Sequence, residues 1–99
     1  MIKKFTDCPL EDYKGVACRT LINGKEILGR ITYFKKLDKL HPHDHDCEQV
    51  GYVISGKLKV LSDEGEFIIE KGDSYAFPRN SSHGFEALED SEVIDMFTA

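Results

Sequence analysis

Basic charge is scarce in this sequence. Thirteen Lys and Arg stand against eighteen Asp and Glu, a formal charge of −5, and no stretch gathers the basic residues into a stripe. That balance disfavours a nucleic-acid backbone or an anionic membrane as the main partner. Long apolar runs are lacking too, and none approaches the length that spans a bilayer. The opening Met1-Ile-Lys-Lys-Phe-Thr-Asp is too polar and too short for a secretory leader, so the expected compartment is the cytoplasm. Cysteines number only three, Cys8, Cys18 and Cys47. An odd count without zinc-knuckle or disulfide spacing indicates reduced thiols, and Cys8 and Cys18 are expected to be packing residues. No internal repeat, low-complexity tract or Pro/Gly/Ser-rich linker divides the chain. At 99 residues it is expected to form one domain, 1–99, whose single core must contain or border any site.

Stretches with the helical period are also missing. After the first dozen residues, β-branched and aromatic segments of about five to eight residues alternate with turn signals, as in an all-β sandwich or barrel. The pattern predicts strands over 16–22, 26–34, 50–54, 57–61, 66–70, 74–77, 83–88 and 92–97. Between them lie Asn23-Gly24, Ser55-Gly56, Asp63-Glu64-Gly65, Lys71-Gly72-Asp73 and Pro78-Arg79-Asn80, which offer Gly or Asn where a tight reversal needs positive φ. A closed or two-layer antiparallel structure follows, because such sheets must hide their edges. Residues 1–14 are expected to form an arm or edge segment available for oligomer contacts.

Histidine is rare as well, yet three of the four residues, His41, His43 and His45, fall at alternate positions. On an extended strand they would all face one way. Pro42 and the interspersed acidic residues argue that the strand does not stay straight. Taken alone, the run reads equally as a polar surface loop. The second half of the chain changes the balance: from His43 the pattern is His-x-His-x3-Gln-x6-Gly, ending at Gly56, and later comes Gly72-x5-Pro78-x-Asn80-x2-His83.

These two spacings, over about residues 37 to 87, resemble the paired motifs of the cupin superfamily, and they imply a small jelly-roll β-barrel. By that resemblance His43, His45, Gln49 and His83 hold one divalent transition metal ion, with Zn, Ni, Mn and Fe all open. Leu37, Asn80 and Ala87 stand where the motifs usually carry Gly, Gly and Asn; Asn tolerates left-handed geometry best among residues with a Cβ. Gln49 replaces the usual Glu, and its neutral amide would leave the ion near its full charge, favouring an anionic ligand. A second register pairs His41 and His43 with Glu48 but leaves one residue too many before Gly56. In the first register Glu48, Asp44 and Asp46 are either solvent-facing or outer groups that orient a ligand imidazole, and His41 is an outer group or an alternative ligand. Cys47 is either a fifth ligand, a redox handle or a packing thiol. Tyr52, Phe77, Phe85 and Phe97 are core residues or cavity lining. Arg19 and Arg30 lie on early strands, where an inward-facing guanidinium could clamp a carboxylate and an outward-facing one would be surface.

A narrower likeness attaches to Glu48-Gln49-Val50-Gly51-Tyr52-Val53-Ile54-Ser55-Gly56, Glu70-Lys71-Gly72-Asp73-Ser74-Tyr75 and Ile94-Asp95-Met96-Phe97. These segments resemble the pectin-degradation protein family of single-domain cupins, which converts unsaturated uronates into linear ketonized sugars at a His, His, Gln, His site. The resemblance implies a catalytic Asp95 and a substrate-lining Phe97. It departs in placing three residues, not four, between His45 and Gln49, and the basic residue that follows Asp-x-Phe in that family is not among these 99. The expected function is a metal-dependent enzyme acting on a small anionic sugar acid or keto acid. Two alternatives stand beside it, a non-catalytic metal-containing binding module and an iron-dependent dioxygenase. A homodimer is the expected assembly.

Overall fold

The computed structural model describes residues 1–99 and contains ten strands, one 3₁₀ turn at Phe5–Asp7 and no α-helix. The strands are β1 (Glu11–Tyr13), β2 (Val16–Asn23), β3 (Ile27–Phe34), β4 (Lys39–His43), β5 (Gln49–Ser55), β6 (Lys57–Ser62), β7 (Gly65–Glu70), β8 (Ser74–Phe77), β9 (His83–Ala87) and β10 (Ser91–Thr98). They form a six-stranded sheet, β1-β2-β3-β10-β5-β8, stacked on a four-stranded sheet, β4-β9-β6-β7. This is the two-layer all-β structure that the turn spacing predicts, and the jelly roll that the resemblance of the histidine motifs implies. No helix is long and apolar enough to cross a membrane.

Alternation decides what each sheet turns inward. Val93 and Asp95 on β10, Gln49 and Val53 on β5, and Leu58 and Val60 on β6 are buried, while their neighbours are not. The core between the sheets comprises Val16, Phe34, Leu40, Val53, Leu58, Val60, Phe77, Phe85, Ala87 and Val93. Two strands escape the sequence pattern. β1 is short and polar, and it is an edge strand paired only with β2. β4, Lys-Leu-His-Pro-His, lacks alternation and contains Pro42, which an edge strand tolerates because one side needs no ladder bond.

β4 also carries a bulge. Its register against β9 shifts between Leu40 and His43, and Gly84 makes room for it, since a Cβ there would lie 2.5 Å from the Leu40 carbonyl oxygen and 2.8 Å from the Pro42 nitrogen. The extra residue reverses parity. Leu40 is buried and His41 and Pro42 are exposed, so that His43 turns back toward the interior.

Two residues with a Cβ that stand at motif glycine positions adopt left-handed backbone: Asn80 at φ 61° and Leu37 at φ 78°. Leu37 gains little in return, since its side chain is 73% exposed and only its N–H is used, donating to the Ala87 carbonyl at 2.9 Å. A left-handed residue with a Cβ costs about 1–2 kcal/mol, and glycine's larger unfolded-state entropy offsets about 0.5–1 kcal/mol of what replacing it recovers. Leu37→Gly is therefore expected to raise stability by about 0.5–1 kcal/mol, measured as a higher urea midpoint at unchanged m-value.

Candidate metal centre

Three imidazoles converge where the four-stranded sheet meets the loop leading to β5. His43 ends β4 and is the cross-strand partner of His83, the first residue of β9; His45 lies in the following loop. Ring centroids are 4.8 Å apart for His43 and His83, 4.7 Å for His45 and His83, and 5.7 Å for His43 and His45. One ligating nitrogen from each lies within 4.8 Å of the others. His83 is 1% exposed and stacks on Phe77 with ring planes 4° apart.

The backbone orients each ring. Nδ1 of His43 lies 3.1 Å from the His41 carbonyl oxygen, Nδ1 of His45 lies 3.0 Å from that of Cys47, and Nδ1 of His83 lies 3.0 Å from that of Ser81. A carbonyl only accepts, so each Nδ1 carries the proton in this arrangement and each Nε2 keeps its lone pair. Nε2 of His83 is buried without any hydrogen-bond partner. Burial, together with the neighbouring His43 and His45, pushes the His83 pKa down to about 4 despite the opposing Ser81 bond. Nε2 of His45 faces Gln49 Oε1 at 3.1 Å, and two lone pairs at that distance call for a cation or proton between them. The donor set therefore fits a divalent cation: three neutral imidazoles, one orphaned buried nitrogen and an amide oxygen turned toward the same space.

Behind the imidazoles sits a buried carboxylate. Asp95 is 4% exposed, and its Oδ1 accepts from Gln49 Nε2 at 2.9 Å and from the Tyr75 hydroxyl at 2.7 Å. Gly51 makes this clasp possible, because any Cβ there would collide with the Tyr75 ring and Asp95 Oδ1. Burial raises the Asp95 pKa, while the bonds from Gln49 and Tyr75 and the charge of Arg30 pull it back. Tyr75 is raised well above its usual value by burial, then by Asp95. Both donors fall on Oδ1, leaving Oδ2 free of a protein donor.

Imidazoles, Gln49 and Asp95 line an inner cavity of about 40 Å³ together with Tyr13, Arg30 and Phe97, room for an ion and a few waters. An outer cleft of about 480 Å³, bordered by Lys25 and Glu26 of the β2–β3 hairpin, shares Tyr13, Arg30, His45 and Phe97 with it. These four residues form the neck between the two. The Arg30 guanidinium is 5.2 Å from the ring centroids of both Tyr13 and Phe97, its Nε is buried without a partner, and no carboxylate pairs with it, the one ion pair of the chain being Arg79–Asp46. A cavity of about 540 Å³ between β7 and β8 contains neither the imidazoles nor Asp95.

Several sequence expectations need correction. Arg19 does not face the cavity: β2 turns it outward, where Nη1 donates to the Cys8 carbonyl at 2.6 Å and the guanidinium lies over Phe5 and Tyr33. Tyr52 is 47% exposed on the outer face of β5, one residue out of phase with Val53. The bulge leaves the His41 ring outside, with only its carbonyl serving His43. Glu48 is likewise exposed, its backbone N–H donating to Thr98 Oγ1 at 2.9 Å; Gln49, not Glu48, reaches the imidazoles. Cys47 borders the outer cleft with Sγ 3.0 Å from His45 Nδ1. Tyr75 and Tyr13 were missed. Tyr75 alternates in phase with Phe77, which was the available signal, whereas nothing in the polar β1 marks Tyr13.

Comparison with known proteins agrees with this fold. A family model described as Cupin domain matches residues 34–97. The chain is 37% identical over 59 residues to the pectin degradation protein KdgF of Dickeya dadantii, covering 58% of this chain and 54% of that one, so it spans about half the length of this relative. The structure of KdgF from Halomonas sp. superposes with a TM-score of 0.89 at 26% identity, covering 99% of this chain and 94% of that one. An RmlC-like cupin from Shewanella frigidimarina superposes with a TM-score of 0.90, also at 26% identity, covering 98% and 88%.

Two outcomes are expected. His83→Ala should abolish stoichiometric binding of a divalent transition metal, measured by elemental analysis after dialysis. In metal-free protein, an unfolded-state His83 takes up its proton near pH 6.5 while the folded one stays neutral until about pH 4. Stability therefore falls as pH drops through that window, by at most about 3 kcal/mol, with no further loss from this group below it. Asp95, raised in the folded state, acts in the opposite sense. Urea titrations of wild type and His83→Phe across the window should differ by this loss, the wild type falling relative to the variant as pH drops while the Asp95 contribution is common to both.

Proposed function

The chain belongs to the cupin-domain family, matched over residues 34–97, and from that premise we propose that it is a metal-dependent isomerase acting on a small anionic sugar acid, an unsaturated uronate. The observation that carries the proposal is the sharing of one inner cavity by three imidazoles, a buried carboxylate and an unpaired guanidinium. Likeness to pectin degradation proteins at 37% and 26% identity supports the substrate class.

The inner cavity is too small for a sugar ring, so the ring occupies the outer cleft and only its reacting end passes the neck. His43, His45, Gln49 and His83 would hold the cation, which supplies electrostatic stabilisation for the oxyanion that develops as the ring opens. Arg30 binds the uronate carboxylate with a half-buried guanidinium held between Tyr13 and Phe97, its Nε already out of water, and it loses no internal partner in doing so. Phe97 and Tyr13 close the neck against water. The ring oxygen's bond to the anomeric carbon breaks as the anomeric hydroxyl loses its proton and becomes an aldehyde. The enolate thus released takes a proton at carbon and becomes a ketone. Product and substrate are isomers, and no co-reactant is consumed. Asp95 moves that proton through Oδ2, the oxygen that neither Gln49 nor Tyr75 occupies, and burial helps it hold the proton between the two events.

Metal-loaded protein should accelerate the loss of the double-bond absorbance of unsaturated galacturonate. With the metal held at saturation, Asp95→Asn should lower kcat by about 100-fold or more, and Arg30→Met should act mainly by raising KM about 10-fold. A rate equal to that in buffer rejects the proposal. If the ligand instead stabilises the protein in a thermal shift without turnover, the site is a binding module.

A further inference from the structure

Gln49 touches both halves of the site. Its Oε1 is 3.1 Å from His45 Nε2, and its Nε2 donates to Asp95 Oδ1 at 2.9 Å. Chemistry dictates which way round the amide lies: a carboxylate accepts, so it takes the NH₂ end and leaves the carbonyl to the imidazoles. Gln49 is 5% and Asp95 4% exposed, so neither can exchange its partner for bulk water. Asp95 cannot swing away, because Tyr75 holds the same oxygen from another side and packs in the space that Gly51 leaves open. Glutamate at position 49 would offer an acceptor to the imidazoles but would set two carboxylate oxygens against each other with no donor between them. An aliphatic residue would supply neither end. The position needs an acceptor at one end and a donor at the other, and an amide has both.

We infer that Gln49 is a two-ended positioning residue through which filling of the imidazole cluster by a cation is coupled to the hydrogen bonding of Asp95, so that Asp95 sets the metal affinity of a cluster to which it does not belong. The inference rests on reading the cluster as a metal site. A cation beside Oε1 draws electron density from the amide and makes Nε2–H a stronger donor to Asp95; a hydrogen bond from Nε2–H to the carboxylate in turn makes Oε1 a stronger electron donor. The two effects are reciprocal, as linkage requires. This also accounts for Gln at a position where cupin motifs usually carry Glu: the diagonal neighbour on β10, Asp95, is an acceptor.

The test is a double-mutant cycle read as Zn²⁺ affinity, by competition with a chromophoric chelator, in wild type, Asp95→Asn, Gln49→Met and the double variant. With Gln49 present, Asp95→Asn should weaken Zn²⁺ binding roughly 10-fold; in the Gln49→Met background the same change should matter by less than about 2-fold. Equal losses in both backgrounds would mean that Asp95 acts on the ion through space by its charge, and would overturn the coupling. No loss with Gln49 present would overturn it as well. Should Gln49→Met fail to fold, the side-chain amide protons of Gln49 report directly by NMR. They should move downfield on Zn²⁺ addition in wild type and move less in Asp95→Asn; resonances unmoved while Zn²⁺ binds refute the inference. A wild type that binds no Zn²⁺ brings down the metal-site reading and the coupling together, an outcome distinct from tight binding that is indifferent to residue 95.

Discussion

One nitrogen governs the site: Nε2 of His83, buried and without a hydrogen-bond partner. An imidazole removed from water normally satisfies both nitrogens, and leaving one unsatisfied costs about 1–3 kcal/mol. Here Nδ1 is committed to the Ser81 carbonyl, Phe77 stacks against the ring face, and two further imidazoles crowd the remaining direction. The ring can neither turn nor protonate near neutral pH, because burial and the adjacent rings disfavour charge. What remains is a fixed lone pair aimed at a shared point, the condition a metal ligand needs.

The two sheets divide the work around that point. The four-stranded sheet contributes His43 and His83 from paired edge and inner strands, while the six-stranded sheet contributes Gln49, Asp95 and Arg30 from neighbouring strands β5, β10 and β3. Each sheet alone would expose its polar residues on a flat face. Stacking removes water from between them, which strengthens every electrostatic contact in the cavity and raises the cost of leaving any of its groups unpaired. Fold and chemistry are therefore set by one event, the closure of the sandwich. The Arg79 clamp extends this order to the ligand loop, its Nη1 donating to the Asp46 carbonyl at 2.7 Å and its Nη2 to that of Ala99 at 3.0 Å.

Much of this was legible in the chain. Eight of the ten strands are marked by β-branched and aromatic segments between turn residues, and the predicted ranges fall within about two residues of those observed. Histidine spacing singled out the three imidazoles that come together. The failures share a cause. His41 was as good a candidate as His43 by parity until the bulge reversed the phase of β4. Arg19 and Arg30 were indistinguishable as arginines on early strands, and Tyr52 as an aromatic beside the motif. Which face of a strand is inside depends on partners distant in sequence, and a one-residue change of phase exchanges the faces.

What the sequence determined by itself is local and periodic: strand-forming segments, glycine and asparagine at left-handed turns, and a pair of histidine motifs whose spacings resemble those of cupins. Tertiary structure decided the rest, namely which histidine faces in, which arginine lines the neck, and that Gln49 donates to a carboxylate 46 positions away. Periodicity acts through bonds between neighbours along the chain, whereas inside and outside are defined only once two sheets have closed and water has left the space between them.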